Sequence, residues 1–355
     1  MAINKKFWEE KTILITGHTG FKGSWLSIWL NMFGANLHGY ALQPDTKPNM
    51  FETAGVKKII KSNISDIRDY NKLLAVIKKC QPQIIFHLAA QPLVRQSYKD
   101  PLETYQTNVL GTANLLEAAR FVKSVRAVIV ITSDKCYENK ESNYAYKESD
   151  PLGGFDPYSS SKACSEIVTA AYRNSFFKDS DTAIASARAG NVVGGGDWAA
   201  DRLVPDCIKA WIKNKTVEIR YPQAIRPWQH VLEPLAGYII LAEKLYKHGG
   251  KFARAWNFGP NENNIKNVAF LTDNIAKLWG KKAKWKITTK KQPHEAMLLK
   301  LNCSMAKTKL SWRPCWNIET TLEKTVQWYK TYLNNPKNII DTTIEQINQY
   351  TKDSK

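Results

Sequence analysis

The stretch that decides the fold begins with residues 128–135, Val-Ile-Val-Ile-Thr-Ser-Asp-Lys, and ends with residues 156–162, Asp-Pro-Tyr-Ser-Ser-Ser-Lys. Its four initial apolar residues predict a buried parallel strand, since strands covered on both faces are continuously hydrophobic. Hydroxyls, an acid and an amine follow at the carboxyl end of this strand, the edge where ligands bind in open α/β sheets. The sequence therefore predicts a ligand site beside Ser133, Asp134 and Lys135.

A tyrosine and a lysine at the end of this stretch are spaced for one helical face. Pro157 suits the first turn of a helix, so Tyr158 and Lys162, four residues apart, should lie one above the other. An ammonium beside a phenol favours the phenolate, which predicts a lowered pKa for Tyr158 and a role as general base toward a substrate hydroxyl. Of the 15 tyrosines only Tyr158 has a lysine at this offset, although chance pairing in a lysine-rich chain remains the alternative.

Length and composition favour a globular protein of about two domains. The chain has 355 residues and 43% hydrophobic residues, and no apolar run approaches ~18 residues, so we expect no membrane span. The N-terminus has no signal-peptide core, which predicts a cytoplasmic protein. The six scattered cysteines lack metal-like spacing and are expected to be reduced thiols, with no metal site.

The net charge of +19 leaves the class of partner open. The lysines are spread along the chain without a known nucleic-acid motif, so we expect no nucleic-acid partner. The densest cluster spans residues 281–291 and is interpreted as a solvated surface. A positive field would also attract a diphosphate-bearing substrate.

A glycine pattern near the N-terminus predicts a dinucleotide site. Residues 12–16 form a short apolar strand, and glycines at positions 17, 20 and 23 follow before an apolar helix. Such a turn lets the backbone approach a pyrophosphate, which the helix N-terminus stabilises. The predicted cofactor-binding residues of this loop are Gly17, Thr19, Gly20, Phe21, Lys22 and Gly23.

The end of the second predicted strand lacks two residues that many dinucleotide sites have. The chain continues as Gln43-Pro44-Asp45, without an acid at the strand end for a ribose 2′-hydroxyl and without an arginine for a 2′-phosphate. We therefore expect NAD rather than NADP, bound more weakly than usual, with His18 crowding the loop as one contributor. A submicromolar dissociation constant would contradict this expectation.

Strands alternate with helices across residues 11–190, which predicts a Rossmann-type doubly wound parallel sheet in an α/β fold. We assign residues 1–188 to an NAD-binding domain with the catalytic residues. Residues 189–355 are assigned mostly to a smaller C-terminal substrate-binding α/β domain, with a return to the Rossmann sheet around residues 220–260. The remaining predicted cofactor contacts are Asp66 and Ile67 at the adenine, Leu88, Ala89 and Ala90 at a strand end, and Asn108, whose amide could order a water or a backbone bend.

Two arginines in the second half are candidates for a substrate diphosphate, because guanidinium groups match phosphate oxygens. Arg202 follows the glycine-rich segment 190–198, and Arg226 begins the segment Arg-Pro-Trp-Gln-His. Surface ion pairs are the alternative for both. Pro293-His294-Glu295 could close the same pocket.

Several blocks in this order resemble the extended short-chain dehydrogenase/reductase family, and within it the nucleotide-sugar 4,6-dehydratases of the CDP-glucose branch. The blocks are residues 16–26, 132–137, 153–164, 188–198, 226–230 and 293–296, and the resemblance covers roughly residues 7–330. Related dehydratases carry Thr-Asp-Glu where this chain has Ser133-Asp134-Lys135, and the lysine resembles the CDP-glucose branch.

The resemblance implies NAD-dependent dehydration of CDP-glucose to a 4-keto-6-deoxy sugar by internal hydride transfer from C4 to C6. Tyr158 would be the base toward the 4-hydroxyl, Lys162 its partner and Ser133 a hydrogen-bond donor. Lys135, if neutral, would remove the C5 proton, and Asp134, with a raised pKa, would protonate the departing 6-hydroxyl. The implied substrate-binding residues are Gln91, Asn191, Arg202, Leu203, Arg226, His230 and His294.

The resemblance also implies a homodimer or a dimer of dimers, paired through helices near residues 108–119 and 162–172, and a place in deoxysugar synthesis for a bacterial surface lipopolysaccharide. Three alternatives remain. Another nucleotide-sugar dehydratase would share the mechanism, whereas a 4-epimerase would need no acid and base pair after the central strand. A non-catalytic dinucleotide sensor, or a nucleic-acid-associated protein on the same fold, would not need Tyr158 and Lys162.

Overall fold

The structure is a computed structural model that describes residues 3–289 and 296–355. Its strands are β1 (Thr12–Thr16), β2 (Asn36–Ala41), β3 (Lys61–Ile64), β4 (Ile84–His87), β5 (Ala127–Ile131), β6 (Ala145–Tyr146), β7 (Ala183–Ala189), β8 (Val192–Val193), β9 (Val217–Ile219), β10 (Ile225–Pro227), β11 (Gln229–His230), β12 (Ala255–Phe258), β13 (Ile265–Asn267), β14 (Trp285–Ile287) and β15 (Lys300–Leu301). Its α-helices are α1 (Lys5–Trp8), α2 (Phe21–Met32), α3 (Met50–Thr53), α4 (Tyr70–Cys80), α5 (Val94–Lys99), α6 (Pro101–Tyr105), α7 (Gly111–Arg120), α8 (Pro157–Ser175), α9 (Leu203–Ile212), α10 (Leu232–His248), α11 (Val268–Trp279), α12 (Ser304–Lys309), α13 (Ile318–Asn334) and α14 (Ile339–Asp353).

The central sheet confirms the predicted Rossmann-type fold. In the described part of the chain it has seven strands in the order β12-β7-β5-β4-β1-β2-β3, and every neighbouring pair is parallel. The order reverses between β1 and β4, so the connections on the two sides run in opposite directions. This switch point opens a crevice at the carboxyl ends of the strands, where ligands of such folds bind.

Helices cover both faces of the sheet. Successive strand residues point to opposite faces, and the apolar side chains on each face pack against helices in a separate hydrophobic core. In β1, Ile13 and Ile15 belong to one core and Leu14 to the other. The first core includes residues of α2, α10 and α13, and the second includes residues of α4 and α7. All five residues of β5 are buried, as the continuous apolar run predicts.

The second part of the chain returns to the main sheet. Strand β12 pairs in parallel with β7, and α10, which precedes it, packs against β5 and β7. Short two-stranded sheets, such as β10–β13 and β11–β8, lie beyond the carboxyl ends of the main strands. The division into two domains at residue 188 stays a proposal, with one strand of the Rossmann sheet contributed by the C-terminal half.

Candidate active site

A cavity of about 560 Å³ lies at the switch point between the Rossmann sheet and the second half of the chain. It brings together residues that are up to 251 positions apart in the sequence, from Gly17 to Val268. The predicted residues that line it are Gly17, Thr19, Gly20, Phe21, Lys22, Gly23, Asp66, Ile67, Leu88, Ala89, Ala90, Ser133, Asp134, Lys135, Tyr158, Lys162, Asn191, Arg202, Leu203 and Arg226. Gln91, Asn108 and His230 lie outside this lining set, and His294 lies outside the described residues.

The glycine loop forms a cradle that side chains would fill. A Cβ on Gly23 would lie 2.2 Å from the Gly17 carbonyl oxygen, and a Cβ on Gly17 would lie 2.7 Å from the Ala89 nitrogen. Gly17 has a φ of +74°, which favours glycine. Gly20 caps α2 without a side-chain hydrogen bond, so backbone N–H groups at this helix end remain to face an anion. The loop therefore fits the pyrophosphate of a dinucleotide.

His18 does not crowd this cradle. Its ring is fully buried behind the loop, where Nε2 is 2.6 Å from Ser62 Oγ and the ring packs edge-on against Phe51. A Cβ on Gly39 would lie 2.5 Å from the ring, so the glycine in β2 makes room for it. Burial lowers the pKa of His18 to about 4, which makes it a neutral core residue. The interpretation of His18 as a crowding residue is therefore wrong.

Ser133, Asp134 and Lys135 leave β5 at the floor of the cavity. A short 3-10 turn spans Asp134–Cys136, and the Ser133 hydroxyl caps it by accepting a hydrogen bond of 3.2 Å from the Lys135 nitrogen. Ser133 Oγ also donates to Asp134 Oδ1 at 3.1 Å. Burial raises the pKa of Asp134, against the opposing charge of Lys135. This direction agrees with the expectation for an acid that must keep its proton.

Helix α8 presents Tyr158 and Lys162 to the same cavity. Asp156 caps the helix by accepting a hydrogen bond from the Ser159 nitrogen, and Pro157 occupies its first turn, as predicted. Burial raises the pKa of Tyr158 to about 12, and Ser133, which hydrogen-bonds the phenol, opposes this rise. The predicted lowering of the Tyr158 pKa is therefore wrong for the chain without ligands, because the loss of hydration outweighs the neighbouring positive charge.

Lys162 lies at the inner end of the cavity. It is 6% exposed, and its Nζ donates a hydrogen bond of 3.4 Å to the Ile131 carbonyl oxygen at the end of β5. Burial lowers its pKa to about 8, and the charge of Glu166 acts in the opposite direction. The ammonium is thus anchored to the strand that carries the other catalytic candidates.

Arg202 lies at the entrance to α9, with a buried acid as its partner. Its Nη1 donates to Asp197 Oδ2 at 2.9 Å, and the side chain of Asp197 is only 6% exposed. Tyr329 of α13 donates to the Asp197 carbonyl oxygen, so the C-terminal helices hold the loop that carries this acid. Asp197 was not among the predicted site residues, although it lies inside the glycine-rich segment and five residues before Arg202.

Asn108 supports the cavity from behind. It lies in a π-helical segment, Gln106–Leu110, and its Nδ2 donates to Ser161 Oγ at 2.8 Å. Its Oδ1 accepts from the Gln91 nitrogen at 2.8 Å. The side chain thus joins α8 to the loop after β4 and does not line the cavity.

His230 corrects another prediction. It is fully buried, and its ring packs between Trp25 and Trp316, with centroid distances of 5.9 and 4.9 Å. Burial lowers its pKa to about 3. His230 is therefore a core residue of the C-terminal half, whereas Trp228, two positions earlier, lines the cavity.

The described residues also bear on two general properties. No group of three or more acid, histidine or cysteine side chains among them is arranged to hold a metal ion. None of the helices in residues 3–289 and 296–355 has the length and apolar character needed to cross a membrane. All six cysteines, which lie within these ranges, are unpaired thiols.

Comparison with known proteins places the chain in a family. Residues 14–325 match a family model described as GDP-mannose 4,6 dehydratase. A CDP-glucose 4,6-dehydratase of Salmonella typhimurium is 51% identical over 336 residues, which are 93% of this chain and 94% of the relative. A dTDP-glucose 4,6-dehydratase of Haemophilus influenzae is 25% identical over 89% of this chain and 97% of the relative.

Solved structures show the same fold. A dTDP-glucose 4,6-dehydratase from Bacillus anthracis in complex with NAD has a TM-score of 0.76 and 23% identity, over 92% of this chain and 98% of the other. A UDP-glucuronic acid 4-epimerase from Bacillus cereus in complex with UDP-glucuronic acid and NAD has a TM-score of 0.77 and 22% identity, over 90% and 99%. With the match to the family model and to the Salmonella relative, the chain belongs to the GDP-mannose 4,6 dehydratase family, which has the extended short-chain dehydrogenase/reductase fold.

Proposed function

We propose that this chain catalyses the NAD-dependent dehydration of CDP-glucose to CDP-4-keto-6-deoxyglucose, as a hydro-lyase. The observation that carries the proposal is that an acid and an amine, Asp134 and Lys135, line one cavity with Ser133, Tyr158 and Lys162. Removal of water needs such an acid and base in addition to the group that oxidises C4. The 51% identical CDP-glucose 4,6-dehydratase supports the choice of reaction and of nucleotide.

The glycine cradle at one end of the cavity would hold the cofactor. Backbone N–H groups at the start of α2 would bind the pyrophosphate, and Asp66 and Ile67 beyond β3 would meet the adenine. Small residues after β4, Leu88, Ala89 and Ala90, permit a close approach. The chemistry that NAD supplies when bound is a hydride acceptor for C4, a hydride donor for C6 and, in the oxidised form, a positive charge.

Tyr158 and Ser133 handle the first proton. In its phenolate form Tyr158, hydrogen-bonded by Ser133, is the base that would take the proton of the 4-hydroxyl as C4 loses its hydride. The charge of Arg202 opposes the effect of burial on the Tyr158 pKa. The ammonium of Lys162, one helical turn away on α8, is proposed to favour the phenolate as well. Ser133 stays beside the same oxygen as it becomes a carbonyl, which fixes its position.

Asp134 and Lys135 perform the dehydration. The new 4-keto group acidifies the C5 proton, which Lys135 accepts in its neutral form. Asp134 donates its proton to the departing 6-hydroxyl, so that water leaves and a C5–C6 double bond forms. Burial supports this role because it raises the Asp134 pKa and so favours the protonated form. Lys135 then returns a proton to C5 after C6 has been reduced.

The CDP group is proposed to lie against the second half of the chain. Arg202, held by Asp197, and Arg226 are the candidates for its diphosphate, because both line the cavity. Asn191 and Leu203 line the same region and are retained as substrate contacts. His294 is retained as a proposal from the sequence alone.

We also propose a homodimer, or a dimer of dimers, formed through the helices that follow β4 and precede β7. Apolar side chains on this face are exposed, including Leu102 at 72%, Leu110 at 57% and Ile167 at 56%. Such a set of exposed apolar residues is typical of a protein–protein interface. The cytoplasm is the proposed compartment, and the product would supply deoxysugar synthesis for a surface lipopolysaccharide.

The test is incubation of the purified chain with NAD and CDP-glucose, or with the dTDP-, UDP- and GDP-linked sugars in parallel. Formation of a 4-keto-6-deoxy product from CDP-glucose, detected by its absorbance in alkali, is the expected result. A C4 epimer as the product would replace the proposal with an epimerase. Turnover of another nucleotide sugar alone would retain the mechanism and refute the cytosine assignment.

A further inference from the structure

A buried carboxylate behind the cavity connects the two segments that carry the catalytic candidates. Glu166 lies one helical turn beyond Lys162 on α8 and is 2% exposed. Its Oε1 accepts a hydrogen bond of 2.5 Å from Thr132 Oγ1. Its Oε2 accepts from Ser186 Oγ at 2.7 Å and from Arg188 Nη2 at 2.8 Å. One side chain of α8 is thus bonded to the ends of both β5 and β7.

These bonds fix the catalytic segment from both of its ends. Thr132 directly precedes Ser133, and its nitrogen donates to the Ala187 carbonyl oxygen at 3.0 Å. Arg188 reaches the other end of the segment, where its Nη1 donates to Tyr137 Oη at 2.7 Å. Because residues 133–136 lie between these two anchors, Glu166 determines where they stand relative to α8.

The same carboxylate is a negative charge beside Lys162. Burial alone would raise the pKa of Glu166, but the charge of Arg188 and the three hydrogen bonds lower it, so it stays ionised. Five other ionisable groups interact electrostatically with Lys162 or Glu166. They are Lys22, His87, Cys136, Arg173 and Arg188. Burial keeps Cys136 a neutral thiol and His87 a neutral imidazole.

We propose that Glu166, which does not line the cavity, is a positioning residue that holds the Ser133–Lys135 segment against α8 and keeps Lys162 an ammonium. This inference rests on the proposed function, since it gives Lys162 and the segment their roles. Arg188 pairs with one oxygen of the Glu166 carboxylate. Lys162 lies four residues before Glu166 on the same helix, at the i, i+4 spacing at which charges interact.

Two substitutions separate charge from position. Glu166→Gln removes the charge, but its oxygen can still accept from Ser186 and Arg188, while its NH₂ can donate to Thr132, whose hydroxyl turns to accept. Thr132→Val removes the bond to the strand end and retains the charge. Glu233→Gln is the matched control, because Glu233 is also a fully buried glutamate but is bonded to Tyr350 and Trp316.

The decisive measurement is the pH dependence of acetylation of Lys162 by trace acetic anhydride, read by peptide mass spectrometry. Only the neutral amine reacts, so the midpoint reports the ionisation of this lysine. In Glu166→Gln the midpoint should fall by about one pH unit, because the substitution removes a negative charge that raises the Lys162 pKa. It should stay in place in Thr132→Val and Glu233→Gln.

Turnover of CDP-glucose supplies the second readout. In Glu166→Gln the pH at which kcat declines on the alkaline side should be lower by the same amount, about one pH unit. Thr132→Val should instead lose about tenfold in kcat at every pH. An unmoved acetylation midpoint in a folded Glu166→Gln variant would overturn the proposal. If the wild type does not dehydrate CDP-glucose yet the midpoint moves, the proposed function fails while the charge role of Glu166 stands.

Discussion

Replacing Gly190 by alanine should displace the carboxyl group of the proposed acid, Asp134, while the acid itself is retained. A Cβ at this position would lie 2.5 Å from Asp134 Oδ2 and 2.9 Å from Pro227 Cγ. Ordinary contact begins at 3.4 Å, so the carboxyl must move by about 0.9 Å or the proline must yield. Gly190 does not have a left-handed φ, and alanine therefore adds the contact without backbone strain.

A displacement of this size is expected to lower kcat about 100-fold, since a misplacement of about 1 Å at a reacting group costs that much. Stability should fall by about 1–3 kcal/mol, as for other additions to a packed site. Gly250→Ala is the matched control, because a Cβ there meets nothing within 4 Å. Both variants would be assayed with CDP-glucose, and NAD binding would be measured by calorimetry.

The role of the displaced group can be isolated with CDP-6-deoxy-6-fluoroglucose. Fluoride leaves without needing a proton, so a misplaced acid should matter far less, and the loss in Gly190→Ala should shrink to within about tenfold. Equal losses on both substrates would refute the assignment of Asp134 as the acid. An unchanged kcat on CDP-glucose would show that the added methyl group displaces Pro227 and leaves the Asp134 carboxyl in place.

Three further predictions concern other parts of the molecule. Lys135→Ala should lower the rate of dehydration at least about 100-fold, the loss typical of a missing general base. The NAD dissociation constant should stay unchanged. Full activity of this variant would refute the assignment of Lys135 as the base. Asp197→Asn should raise KM for CDP-glucose about tenfold with kcat within about threefold, because Arg202 loses the partner that orients it; an unchanged KM would argue against Arg202 as a phosphate ligand. Burial raises the pKa of Glu233 from 4.5 to about 7, so the folded state binds this proton more tightly than the unfolded chain, and about 3 kcal/mol of stability should be lost as pH rises from 4.5 to 7. Urea denaturation across that range should show the loss in the wild type and not in Glu233→Gln, and parallel curves for the two proteins would refute it.

Local sequence was sufficient wherever a residue's role depends on its neighbours in the chain. The run of apolar residues at 128–131 predicted a strand buried on both faces, and β5 is buried throughout. Pro157 predicted the start of α8 because the fixed φ of proline is a local property that suits the first turn of a helix. The three glycines after β1 predicted the cradle for the same reason.

Sequence reasoning failed where burial decides. His230 was expected to contact the substrate and His18 to crowd the glycine loop, but both are core residues, since the direction of a side chain depends on the strand or loop that carries it. The pKa of Tyr158 was predicted from Lys162 alone, whereas the loss of hydration in the cavity raises it. The partners that orient the site, Glu166 and Asp197, were not found because their bonds join distant segments.

The sequence by itself determined the class of sheet, the dinucleotide cradle, the set of catalytic candidates and the family, because each of these is written in short ordered motifs. Only the tertiary structure decided which candidates share a cavity, how each is charged and what holds it. Thr132 and Glu166 lie 34 positions apart and Asp197 and Tyr329 lie 132 apart. Such pairs meet only when the sheet and its covering helices have closed over the cavity, and burial then sets the electrostatics that no local motif encodes.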